Sequence, residues 1–305
     1  MEYRPFGRAG FQVSLLGLGA AEIGHEGASV ATVRSIIDEA LDGGLNLIDS
    51  AAAYGTSEEL LGEVLDGRRD RVRLFTKAGY EAGYRPAYSA KAFRESCERS
   101  LKRLRTDYLD LLQIHSCPLE DLEKGEIIEE MERLKGEGKV RLIGYSGDRE
   151  AAMWAVRSGR FDSLQTSFSI FDQEAATTTI PLAVEKGMGV IIKRPLGNGV
   201  WRFTDLPENG YYHGYWRRMK ALNYEHLREG GPEEAARVAL GFVASTPGIS
   251  TIITGTSRPG RWSANKALLE GQPTGPEIFE SLRTRWAELA LDERGQLRAE
   301  WRGEQ

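Results

Sequence analysis

Apolar residues in this chain fall into short continuous runs, separated by stretches of helical periodicity, and the two alternate almost from end to end. The first run is Leu15-Leu16-Gly17-Leu18-Gly19. Further runs end near Asp49, Lys77, His115, Ser146, Gln165, Arg194 and Thr254, which makes eight strands with the first. Between them the spacing predicts helices near 30–42, 57–66, 90–104, 122–137, 150–158, 174–186 and 233–245. Residues 2–14, with Gly7 and Gly10 among alternating apolar positions, read as a hairpin ahead of the main fold. Residues 276–304 read as one amphipathic helix with Phe279, Leu282, Trp286, Leu289 and Leu291 on its apolar side.

Alternation with short connections predicts an α/β fold around a parallel sheet. Eight units in about 250 residues suit a closed (β/α)8 TIM barrel better than an open doubly wound sheet. No G-x-G-x-x-G follows the first strand, where Gly19-Ala20-Ala21 stands instead. No linker composition divides the chain, so residues 1–305 are expected to form a single domain. Two places break the rhythm. Residues 78–88 are too rich in Gly and Pro for a helix. Residues 195–231 form a long insert carrying Trp201, Phe203, Tyr211, Tyr212, His213, Tyr215 and Trp216, and inserts of this kind often act as lids or binding loops.

Composition narrows the function. The 305 residues, 41% of them hydrophobic, suffice for a full core, and the net charge of -5 argues against a general nucleic-acid binder. No apolar run approaches bilayer length, and the first residues show no signal-peptide pattern. Two cysteines, Cys97 and Cys117, lack metal-like spacing; a reducing, cytoplasmic setting without disulfides or metal is expected.

The chemistry lies at the strand ends. Consecutive apolar runs finish on Asp49, Lys77 and His115, with Tyr54 five residues beyond Asp49. In a parallel barrel those ends share one face, the face that holds barrel active sites. A phenol with an ordinary pKa near 10 is a reluctant acid, and a neighbouring lysine favours its phenolate form. An aspartate would hold that lysine charged, and a histidine could orient a substrate oxygen. The four together make a tuned general acid for an oxygen that gains negative charge, such as a carbonyl accepting hydride.

These residues carry a resemblance. The chain resembles the aldo-keto reductase superfamily over almost its whole length, through Leu15-Leu16-Gly17-Leu18-Gly19, the block from Asn46 to Gly55, Ser100-Leu101-Lys102-Arg103-Leu104 with the run from Asp107 to His115, and Gly255-Thr256-Ser257-Arg258-Pro259. The resemblance implies a barrel closed at the bottom by the hairpin and NAD(P)H-dependent carbonyl reduction. It makes Tyr54 the general acid, Lys77 its partner, Asp49 the partner of the lysine and His115 the substrate-orienting residue. It places Ser146 and Gln165 on the nicotinamide carboxamide. Family members often have asparagine after that serine, where this chain has Gly147 and then Asp148. Arg194 is matched to a nicotinamide-stacking position, and Leu196, Gly197 and Asn198 to the loop that meets the pyrophosphate. Gly19 and Ala20 stand where a threonine hydroxyl is frequent.

The segment from Thr256 through Ser257, Arg258 and Arg261 to Asn265 joins the eighth strand to a helix. A helix N-terminus with hydroxyls and arginines is a natural phosphate site. Arginine forks suit an adenosine 2′-phosphate, so NADPH is expected over NADH; the resemblance puts Asn265 on the adenine. Around the mouth, Ile23, His25, Tyr80, Tyr84, Trp201, Tyr212 and Trp216 are the expected substrate wall, suited to small apolar or aromatic carbonyls. Other readings are an NAD-linked dehydrogenase of a sugar or polyol, a cofactor-sensing binding subunit and a metal-dependent or sugar-phosphate barrel enzyme of a different family. Oligomeric state is left open.

Overall fold

A computed structural model of the chain describes residues 1–305 except 82, 226, 228, 229, 272, 273 and 303–305. Eight parallel strands close into a barrel: β1 (Leu16–Gly19), β2 (Leu47–Asp49), β3 (Arg73–Ala78), β4 (Leu109–His115), β5 (Val140–Ser146), β6 (Ser163–Ser167), β7 (Gly189–Lys193) and β8 (Thr251–Gly255). Neighbours in space are neighbours in sequence, and β8 closes on β1 with Gly255 opposite Gly19. Helices lie between the strands, so the (β/α)8 expectation holds.

The first barrel helix, Val30–Asp42, shows why the pattern is readable. Ser29 caps it by accepting from the Thr32 amide, and Val33, Ile36, Ile37, Ala40 and Leu41 are buried at three- and four-residue spacing. Each buried branched side chain contributes roughly 1.5–3 kcal/mol. A charge at Ile37, which is fully buried, would break the seam against the strands.

The barrel is plugged from below. The hairpin Tyr3–Pro5/Gln12–Ser14 delivers Phe6 into the lumen, where it packs with Val13, Leu47, Phe75, Leu111, Ile191 and Ile253. Gly189 makes the room, since a Cβ there would lie 2.6 Å from the Phe6 ring. The lower lumen is thus filled mainly by apolar side chains, and Thr251 at the start of β8 satisfies its hydroxyl on the Ser14 carbonyl at 2.8 Å.

Three expected helices are interrupted. The 122–137 helix is two, Leu119–Glu123 and Glu126–Gly136, because Gly125 takes a left-handed φ of 76°. The 174–186 helix is a short 3-10 turn, Glu174–Ala176, followed by Thr179–Glu185; Pro181 falls in the first turn, where its missing amide costs nothing. The C-terminal helix ends at Ala290. Leu291 then pairs with Leu297 across a turn in which the Asp292 side chain accepts from the Arg294 and Gln296 amides, and Ala299–Arg302 resumes. Residues 303 and 304 of that expected helix lie outside the described residues, as do residue 82 of the 78–88 segment and 226, 228 and 229 of the insert. Residues 78–88 hold a small hairpin, Tyr80–Glu81 with Arg85–Pro86. The insert holds an irregular turn at Gly197–Arg202, kinked at left-handed Asn198 and Gly199, a 3-10 turn at Gly210–Tyr212 and the helix His213–Leu222.

Candidate active site

Asp49, at the end of β2, organises the upper lumen. Its Oδ1 accepts from the side-chain amides of Gln113 on β4 and Gln165 on β6, both at 2.9 Å. Its Oδ2 accepts from the Lys77 ammonium on β3. Lys77 also donates to the Ser50 carbonyl at 2.8 Å and to the Tyr54 hydroxyl at 3.3 Å, which uses all three of its N–H bonds. Lys77 and Asp49 are each 1% exposed, so the pair is shielded from solvent and salt. Burial lowers the Lys77 pKa, but Asp49 and Tyr54 outweigh it and the net direction is up; the ammonium keeps its charge.

Tyr54 differs from the simple expectation. Lys77 does pull its pKa down, but burial, with a further push from Asp49, raises it above the ordinary value. The phenol is therefore held protonated, which is the form an acid needs. His115 stands edge-on to it, with ring centres 5.7 Å apart. Burial, then the charges of Lys77, Lys193 and Arg194, hold the His115 pKa well below 6.5, so the imidazole is neutral. Its Nδ1 is buried without a hydrogen-bond partner among the described residues.

The rings around this pair come from loops. Tyr80 and Tyr84, on the small hairpin after β3, lie 5.3 and 6.2 Å from the His115 ring. His25, after β1, lies 5.7 Å from the Tyr54 ring and shares a 3.1 Å hydrogen bond with the Tyr84 hydroxyl. Other expected wall residues go elsewhere. Ile23 is fully buried in the core. Trp201 packs on Phe171, Tyr212 on Phe203, and Trp216 donates to the Phe203 carbonyl at 3.2 Å, so these three brace the insert.

The ends of β5, β6 and β7 form a second polar group. Ser146 donates to the side-chain amide oxygen of Gln165 at 3.0 Å. Gly147 has a steric cause: a Cβ there would lie 2.4 Å from the Tyr145 hydroxyl, so asparagine does not fit. Asp148 accepts from the Thr166 hydroxyl at 2.9 Å, from the Ser167 amide at 2.6 Å and from Lys193 at 2.8 Å. Burial would raise its pKa, but Lys193 and Arg194 outweigh this and bring it to about 2. Arg194 has a left-handed φ of 55°, donates to the Ser167 hydroxyl at 3.3 Å and has the Tyr211 ring 5.7 Å from its guanidinium. Gly197, Asn198 and Gly199 follow with φ of 50°, 57° and 62°.

At β8, Gly19 pairs with Gly255, and the Ala20 amide donates to the Asp49 carbonyl at 2.9 Å. Thr256 accepts from the Arg258 amide at 2.9 Å, Ser257 donates to Glu26, and Asn265 donates to Thr254 at 3.3 Å. Arg258 and Arg261 are exposed. Gln113, Tyr88 and Lys193 are not among the site residues expected from the sequence. Gln113 had a signal, for it stands two residues before His115 and so on the same strand face. Tyr88, which donates to the His115 carbonyl at 2.9 Å, lies in a segment without periodicity.

Comparison with known proteins places this geometry. A sequence model of the aldo/keto reductase family matches residues 15–282. The uncharacterized oxidoreductase YqkF of Bacillus subtilis is 31% identical over 276 residues, 85% of this chain and 88% of its own. L-galactose dehydrogenase of Arabidopsis thaliana is 30% identical over 299 residues, 88% of each chain. Among solved structures, the holo form of an aldo-keto reductase of Bacillus halodurans superposes with a TM-score of 0.81 at 28% identity, covering 99% of this chain and 100% of its own. The chain belongs to the aldo/keto reductase family and is an NAD(P)H-dependent oxidoreductase.

Proposed function

We propose that this chain reduces an aldehyde or ketone to the alcohol with NADPH, with Tyr54 as general acid. The observation that carries the proposal is the 3.3 Å contact from Lys77 to the Tyr54 hydroxyl, with Asp49 behind the lysine. The nicotinamide, when bound, supplies the hydride. Tyr54 gives its proton to the carbonyl oxygen as negative charge develops there. The Lys77 ammonium stabilises the phenolate left behind, and Asp49 keeps that ammonium charged and fixed. Neutral His115 orients the substrate oxygen by hydrogen bonding. His25, Tyr80 and Tyr84 form the aromatic wall over it, suited to a small apolar or aromatic carbonyl.

For the cofactor, the donor set suits a long ligand with two separate anionic groups. Ser146 and Gln165 are proposed to hold the carboxamide, Arg194 to stack on the ring, and Leu196, Gly197 and Asn198 to meet the pyrophosphate near Gly19 and Ala20. Thr256, Ser257, Arg258 and Arg261 would take the 2′-phosphate, and Asn265 the adenine. The protein is proposed to act as one barrel domain over residues 1–305 in the cytoplasm, a setting that both free, buried thiols support. Among the described residues no helix is long and apolar enough to cross a membrane.

NADPH carrying deuterium at both C4 positions of the nicotinamide, mixed with 4-nitrobenzaldehyde, tests the reaction. Deuterium should appear on the carbinol carbon; a bound cofactor that transfers none contradicts it. The relative named L-galactose dehydrogenase favours a second reading, oxidation of a sugar or polyol with NAD, which would show as faster turnover with NAD and sugars than with NADPH and aldehydes.

A further inference from the structure

We propose that Glu39 limits the preference of this chain for a 2′-phosphorylated dinucleotide, by holding the anion position at the start of the helix Arg261–Glu270. This rests on the reading that the loop after β8 receives the adenosine end of the cofactor. Barrel enzymes often bind phosphate with the loops after the last two strands and a helix N-terminus. Here that N-terminus is already engaged. Its N-cap, Gly260, has a left-handed φ of 80° and no side chain with which to cap. Glu39, reaching across from the helix Val30–Asp42, accepts from the Gly260 amide at 2.6 Å and the Ser263 amide at 3.1 Å. A carboxylate thus satisfies the orphan donors that an incoming phosphate would otherwise use.

The carboxylate is charged at neutral pH. Burial raises its pKa, but hydrogen bonds from Ser263 and Gly260 outweigh this and the net direction is down. A second carboxylate, Glu26, accepts from the Ser257 hydroxyl on the same loop. Two exposed arginines, Arg258 and Arg261, pull the other way. The 2′-phosphate is therefore attracted by the guanidinium groups and repelled by Glu39, and the net preference is smaller than the arginines alone would give. NADH should be accepted as well.

The adenosine end can be tested without turnover. Dissociation constants for 2′,5′-ADP and 5′-AMP differ only in the 2′-phosphate contribution. Replacing the charge in Glu39→Gln should tighten 2′,5′-ADP by about three- to tenfold, the size of an anion effect at a helix N-terminus plus loss of repulsion, and leave 5′-AMP unchanged. Glu39→Ala, which also frees both amides, should gain at least as much, and a melting curve for each variant confirms that it is folded. If both nucleotides shift equally, or neither shifts, the proposal is overturned. Arg261→Ala separates the two levels. If it fails to weaken 2′,5′-ADP relative to 5′-AMP, the phosphate is not bound here and the underlying reading fails too. If it does weaken it while the Glu39 variants leave the ratio unchanged, the reading survives and the role of Glu39 falls.

Discussion

The Lys77 ammonium donates to the Tyr54 hydroxyl at 3.3 Å, and the same ammonium is pinned by Asp49 and by the Ser50 carbonyl. No rotamer of Lys77 is left free to drift, so the contact to Tyr54 is built into the barrel wall.

That arrangement separates stability from chemistry. Lys77→Met leaves a buried carboxylate without its cation and should cost about 3–5 kcal/mol, along with activity. Adding Asp49→Asn removes the stranded charge while keeping an acceptor for Gln113 and Gln165. The double variant should recover much of the stability and none of the turnover. Urea denaturation of the three proteins measures it; a double variant as unstable as the single one would contradict the pairing.

His115 gives a pH dependence with a definite sign. Its native pKa is held well below 6.5 by burial and by Lys77, Lys193 and Arg194. The unfolded chain takes up a proton near that pH and the native state refuses it, so this group's contribution is fully kept above 6.5 and lost as pH falls below it. His115→Gln should flatten the stability curve between about pH 7 and pH 5 relative to the parent. Urea midpoints over that range report the slopes, and parallel acid limbs would count against a neutral, buried imidazole.

Gly147 is fixed by Tyr145. The tyrosine is 1% exposed and donates to the Cys117 carbonyl at 3.0 Å, so it has nowhere to move. Gly147→Ala should cost about 1–3 kcal/mol through overpacking. Tyr145→Leu removes the ring, so the double variant should cost less than the sum of the singles. Strict additivity in a double-mutant cycle would remove the steric explanation.

The barrel and the polar cluster at its C-terminal face are legible in the sequence because each of Asp49, Lys77 and His115 interrupts an apolar run at its end. Tyr54 is legible only through its nearness to Asp49. The interior amide of Gln113 is less visible because it sits within a strand, and its role depends on which face β4 turns inward. Glu39 is invisible: on the helix Val30–Asp42 it reads as one more polar position, and its bonds to Gly260 and Ser263 span more than 220 residues of sequence. The aromatic insert is misleading for a related reason. Trp201, Tyr212 and Trp216 are the residue types of a binding wall, yet all three are partly buried against the main core, and Trp201 packs on Phe171 outside the insert. The breaks at Gly125 and after Ala290 turn on a single left-handed residue or a side-chain-capped turn, which periodicity averages away.

The most direct measurement compares wild type with Tyr54→Phe in NADPH oxidation by an activated aromatic aldehyde, with NADPH binding measured on both. Loss of the hydroxyl should lower kcat/KM by about 10²–10⁴, the worth of a general acid, while the dissociation constant for NADPH stays unchanged. A Tyr54→Phe protein that turns over as fast as wild type would contradict the assignment of the proton to Tyr54, and with it the role of Lys77 and Asp49.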